Sequence, residues 1–167
     1  MRKILISDFT IIEAPHGGSE WVNQVLIDKF NLEFQYSQQV TSFDKNNLYI
    51  ISNVSLMNPN LVKQISSLNY IIIENDYKIC QSRHPWIWPN SIIPLNERTN
   101  YDIYVNAKAV FVQTNDHLNV YKANDVKGHF VNLHCSIWGE DDLLLLEELL
   151  KKNKNKTNDT CGIYDTT

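Results

Sequence analysis

The chain has 167 residues, 43% of them hydrophobic, and a formal net charge of −4. That length suits one domain with a substantial core and is short for two of ordinary size, while the mild acidity excludes strong attraction to nucleic acid or to an anionic membrane surface. No apolar run approaches the length of a transmembrane segment, and Met1-Arg2-Lys3 leads straight into a short apolar stretch with no cleavage pattern, so a cytoplasmic location is expected.

The first element, Lys3 to Ser7, reads as a strand buried on both faces. A loop from Asp8 to His16 carries it to Gly17 and Gly18, which lack a Cβ and let a ligand approach the backbone. Ser19 is the expected N-cap of a helix in which Trp21, Val22, Val25, Leu26 and Phe30 recur at helical spacing. Apolar strand candidates follow at Glu33 to Tyr36, Leu48 to Ile51, Tyr70 to Ile73, Ala109 to Val112 and His129 to Asn132. Helices are expected at Pro59 to Ser67, within Asp76 to Arg83, at Arg98 to Ala107, and at Asn115 to Asn124 with Thr114 as its cap. This alternation argues for βαβ units, hence an α/β fold with a Rossmann-like, doubly wound, mostly parallel sheet over residues 1–152. Glu140-Asp141-Asp142 opens a leucine-rich helix that closes on Lys151-Lys152, matching charge to the helix dipole. Residues 153–167 then give a polar loop and a candidate last strand at Cys161 to Tyr164.

In such sheets ligands sit beyond the carboxyl ends of the strands, which directs attention to Gly17, Glu74, Asn75, Gln113, Thr114 and Leu133 to Ser136. The glycine pair at a helix start suits a phosphate or carboxylate, although neither GxGxxG nor a P-loop is present and a plain corner turn is the competing reading. His16 beside it is a polar candidate for a phosphate or an acceptor hydroxyl. Asp76 fits a helix N-cap better than a sugar contact. Arg83 and His84 precede Pro85-Trp86-Ile87-Trp88-Pro89, a loop that suits equally a phosphate-binding guanidinium with sugar-stacking indoles and a hydrophobic plug. His129, His134 and Cys135 fit no tetrahedral metal site, and the odd set Cys80, Cys135 and Cys161 lacks CxxC spacing, so neither a metal nor a disulfide framework is expected.

Taken in order, Gly17-Gly18-Ser19-Glu20 after the first strand, Glu74 to Lys78, Arg83-His84-Pro85, Asn106 to Thr114, and Leu133 to Trp138 before the acidic helix resemble the N-terminal domain of GT-B-fold, family-4-like retaining glycosyltransferases. The resemblance runs over nearly the whole chain. It implies an acceptor-side domain whose Gly17, Gly18 and Ser19 lie near the diphosphate of a nucleotide-diphosphate sugar used as co-substrate, with no further cofactor. It also implies that His16, Glu20, Glu74, Asn75, Asp76, Arg83, His84, Gln113 and Thr114 contact the acceptor or the sugar. Many relatives carry a histidine where this chain has Asn75, so no catalytic residue is assigned. In the family a second Rossmann-like domain binds most of the donor. The expected partner is therefore that C-terminal donor domain or a separate donor subunit, along with a carbohydrate or other hydroxyl acceptor. Activity of the isolated chain is not expected; a free-standing anion- or sugar-binding module and the acceptor subunit of a two-chain enzyme are the alternatives.

Overall fold

Uninterrupted runs of β-branched and aromatic residues make strands that need cover on both sides. The computed structural model describes residues 1–10 and 18–153, and in it these runs become β1 (Lys3–Ser7), β2 (Glu33–Tyr36), β3 (Leu48–Ile51), β4 (Tyr70–Glu74), β5 (Val110–Val112) and β6 (Phe130–Asn132). They form one sheet of order β2-β1-β3-β4-β5-β6, and every neighbouring pair is parallel. The fold is thus the expected Rossmann-like α/β type, with a sheet that is parallel throughout. Leu5 pairs with Phe34 on one side and Ile50 on the other, and Ile72 pairs with Val110.

The helices are α1 (Gly18–Phe30), α2 (Pro59–Ile65), α3 (Tyr101–Asn106), α4 (Asn115–Ala123) and α5 (Glu140–Asn153). Side-chain alternation along the strands splits the core in two. Ile4, Ile6, Tyr49, Ile51, Ile72, Val110 and Val112 pack with Ile65 of α2, Ile103 and Tyr104 of α3, and Tyr121 of α4. Leu5, Ile50 and Ile73 on the other face pack with Val22 and Leu26 of α1. Thr114 caps α4 as expected, its hydroxyl accepting the His117 N–H at 3.1 Å.

Four local expectations are corrected. Trp21 and Phe30 of α1 are exposed; the buried stripe is Val22 and Leu26, joined by the polar Glu20 and Asn23. Ser19 lies inside the first turn of α1, where its hydroxyl donates to Glu20 Oε1 at 2.9 Å. The helix expected from Arg98 begins at Tyr101, because Arg98 is drawn away: it forms a lone antiparallel bridge with Cys80, and its guanidinium donates to the Ile93 and Asn124 carbonyls. No helix forms over Asp76 to Arg83, and Asp76 caps nothing. Its N–H is taken by the Glu74 carboxylate at 3.1 Å, and the following residues are held by the Cys80–Arg98 bridge and the Thr99 N–H to Ile79 carbonyl bond of 2.8 Å.

The chain divides into two compact units, Met1–Ile137 and Trp138–Thr167. The first holds the whole sheet. In the second, α5 carries Glu140, Asp141 and Asp142 at its start and Lys151 and Lys152 at its end, and the Gly139 N–H donates to Asp142 Oδ2 at 3.1 Å, half of a capping box. The candidate strand Cys161 to Tyr164 lies outside the described residues. Among the described residues no helix is long and apolar enough to cross a membrane.

Candidate functional site

Six parallel strands bring their carboxyl ends to one edge, and there the sequence turns polar: Ser7-Asp8 at the end of β1, Ser52-Asn53 after β3, Asn75-Asp76 after β4 and Gln113-Thr114 after β5. A cleft of about 280 Å³ opens at this edge, lined by Gly18, Ser19, Ser52, Asn53, Asn75, Asp76, Lys78, Gln113 and Ser136.

One wall is an uncharged row across three strands. Gln113 Nε2 donates to Asn75 Oδ1 at 3.1 Å, and Asn75 Nδ2 donates to Ser52 Oγ at 3.2 Å. Asn53 Oδ1 accepts from the Ser55 hydroxyl at 2.9 Å and from Arg83 Nη2 at 3.3 Å, which leaves its amide N–H groups without acceptors among the described residues.

Next to this row lies a charged cluster, of which Asp76 and Lys78 also line the cleft. Glu74 ends β4 fully buried; its Oε1 accepts from Lys78 Nζ at 2.7 Å, and its Oε2 accepts from the hydroxyls of Tyr104 and, at 2.8 Å, Tyr121. Lys78 Nζ also donates to Asp76 Oδ1 at 2.8 Å, and Arg83 donates to Asp76 Oδ2 and to the Ser55 hydroxyl. Arg83 reaches both loops from a left-handed backbone conformation, φ 57°. Burial works against a charged Lys78, but Glu74 and Asp76 outweigh it and hold the ammonium above the ordinary lysine value. Burial likewise pushes Asp76 upward, and Lys78 and Arg83 outweigh that and hold its carboxyl below the usual range. Burial, then the Glu74 charge, drives the Tyr104 and Tyr121 phenols well above theirs. The two carboxylates and two cations are mutually matched, so Asp76 is a tethered carboxylate rather than a free base.

Asp8, buried after β1, ties three loops together by accepting from the Ser37 hydroxyl and from the Ser55 and Leu56 N–H groups, the latter two at 2.9 and 3.1 Å. Ser7 Oγ accepts from Asn23 Nδ2 of α1 at 3.0 Å, fixing the helix to the strand end.

Of the residues singled out from sequence, Gly18, Ser19, Asn75, Asp76, Gln113 and Ser136 meet in this cleft. Glu74 and Arg83 stand behind it as supports. Glu20 is buried in α1 and Thr114 is engaged as a cap, and neither lines the cleft. His84 is exposed with its ring edge against Trp86 at 5.0 Å, and Trp86 in turn meets Tyr77, which packs on His117 at 4.4 Å. His16 and Gly17 lie outside the described residues. Sequence reasoning passed over Ser52, Asn53, Lys78 and Asp8 as site residues. The available signal was position: each follows directly on, or within four residues of, the carboxyl end of a central strand. Among the described residues no group of three or more His, Cys, Asp or Glu side chains is arranged to hold a metal ion. In comparisons with known proteins, no family model, curated protein or solved structure matches the chain.

Proposed function

We propose that this domain is the acceptor-side half of a retaining glycosyltransferase that draws on a nucleotide-diphosphate sugar. The observation that carries the reading is the cleft itself, where the first turn of α1, at Gly18 and Ser19, and the hydroxyl and amide row of Ser52, Asn53, Asn75 and Gln113 line one depression at the carboxyl edge of a parallel sheet. A helix start offers unpaired N–H groups and a positive dipole end to a diphosphate, and oriented amides suit sugar hydroxyls. Transfer would then be assisted electrostatically, by fixed dipoles that meet the negative charge growing on the leaving diphosphate. Asp76, matched to two cations, takes no part as a base in this scheme, which agrees with a front-face route needing none from this domain.

The test is transfer and donor hydrolysis with a panel of nucleotide sugars, using this chain alone and the longest continuous gene product that contains it. Transfer by the longer product, or by this chain mixed with a donor subunit, is the expected result. Specific glycan binding with no transfer by any combination would replace the enzyme with a binding module.

A further inference from the structure

We propose that the wall formed by Ser52, Asn53, Asn75 and Gln113 is a subsite for one polyhydroxylated ring that is uncharged where it meets these four residues, and that it disfavours a carboxylate or phosphate on that side of the ring; a diphosphate at the anomeric carbon lies instead at the first turn of α1. The inference rests on the glycosyltransferase reading of the cleft and narrows its substrate class.

Two observations support it. The first is the pattern of hydrogen-bonding capacity left after the internal bonds are made. Asn75 has spent one N–H on Ser52 and one lone pair on Gln113, so one of each remains; Gln113 keeps an N–H and its carbonyl oxygen; Asn53 keeps both amide N–H groups; and the Ser52 proton has no acceptor among the described residues. The wall thus offers free donors after β3 and both donors and acceptors after β4 and β5. A hydroxyl both donates and accepts, and matches such a surface; a carboxylate or phosphate only accepts, and leaves the free Asn75 and Gln113 oxygens without a donor. The second observation is charge. Both cations near the wall are already committed, Lys78 to Glu74 and Asp76, and Arg83 to Asp76. An anionic substituent would leave water for a wall with no cation to meet it, an unfavourable exchange. At about 280 Å³ the cleft lies at the lower edge of the roughly 300–1,000 Å³ range of small-molecule sites, which suits one ring rather than an entire nucleotide sugar.

The experiment follows the side-chain amide resonances of Asn53, Asn75 and Gln113 in the full chain by NMR. The probes are methyl α-glucoside, methyl α-mannoside and methyl α-galactoside, set against methyl glucuronoside and glucose 6-phosphate. The expected result is saturable shifts of these three amides with at least one neutral glycoside, and markedly weaker binding of the two anions. Gln113→Ala should weaken the neutral interaction about five-fold, as for one lost hydrogen bond. Gln113→Lys, which supplies an uncommitted cation at a half-buried position, should admit the anions. Anions binding as tightly as neutral glycosides would overturn the selectivity and leave the sugar-transfer reading standing. No response to any of the five sugars would remove the subsite and the sugar reading together.

Discussion

Glu74 is the residue on which the site's geometry turns, because a fully buried carboxylate persists only when each lone pair has a partner. It has four: the Lys78 ammonium, the Asp76 N–H and the hydroxyls of Tyr104 and Tyr121. That arrangement fixes Lys78, which fixes Asp76, which with Ser55 and Asn53 fixes Arg83. Stability should carry the signature of this chain at both pH extremes. Asp76 has its folded-state pKa lowered beneath the ordinary 3.8, so its contribution is present above that value and disappears as pH falls through the folded one. Lys78 has its folded-state pKa raised above 10.5, so its contribution is present below that value and disappears as pH rises through the folded one. Asp76→Asn should flatten the acid limb of urea midpoint against pH. At pH 7 it should cost about 1–2 kcal/mol, between the limits for surface and buried pairs, since the Asp76 side chain is 38% exposed. An acid limb as steep in the variant as in the parent protein would show that Asp76 is not held as described.

At the scale of the element, Gly128 decides how closely the turn before β6 can approach α3. A Cβ built there would stand 2.6 Å from the Tyr104 carbonyl oxygen and 3.1 Å from the Phe130 ring. The ring could shift, but the helix backbone would have to move, and Tyr104 is one of the two tyrosines that bond Glu74. Gly128→Ala should therefore destabilise by about 1–3 kcal/mol, the usual cost of overpacking, and should broaden the Tyr104 and Tyr121 ring signals. An unchanged denaturation midpoint would mean that the turn is free to retreat. The same tertiary reach explains what was legible in the sequence. Strands such as Tyr70–Glu74 announce themselves, because burial on both faces demands a continuous apolar run whatever surrounds it. The α4 cap at Thr114 is equally local and equally readable. The segment Asp76 to Arg83 is not: its N–H and C=O groups are claimed by partners some twenty residues away, Thr99 and Asn100 on the Lys78 carbonyl and Glu97 on the Gln81 N–H, and no periodicity encodes that. For the cleft, topology was enough to nominate Asn75, Gln113 and Ser136, and the glycine pair at the helix start to nominate Gly18. Arg83 meets Asp76 from a left-handed backbone conformation at a non-glycine residue, which the sequence does not mark.

Across the whole sheet the strand order runs outward from β1 in two directions, with β2 on one side and β3 to β6 on the other, so the chain reverses its winding beside β1 and β3. Crevices open at such reversals, and the cleft's wall begins there, at Ser52 after β3, and continues along β4 and β5. These are interior strands. Ile51, Ile72 and Val112 are essentially sealed from solvent, whereas β2 and β6 are edge strands whose residues are at best partly buried. A wall that must present donors and acceptors at fixed spacing gains from being carried by the part of the sheet that opens last, since pre-organised contacts need no ordering when a ligand arrives. Native-state hydrogen exchange should accordingly show amides of β1, β3 and β4 exchanging only through global unfolding, and those of β2 and β6 on the order of ten- to a hundred-fold faster through local opening. β5, paired on both sides by β4 and β6, should behave as an interior strand with its neighbours. Exchange in β4 and β5 as fast as in β6 would mean that the row from Ser52 to Gln113 is not held rigidly, and a surface that selects hydroxyl groups by their spacing could not be built on it.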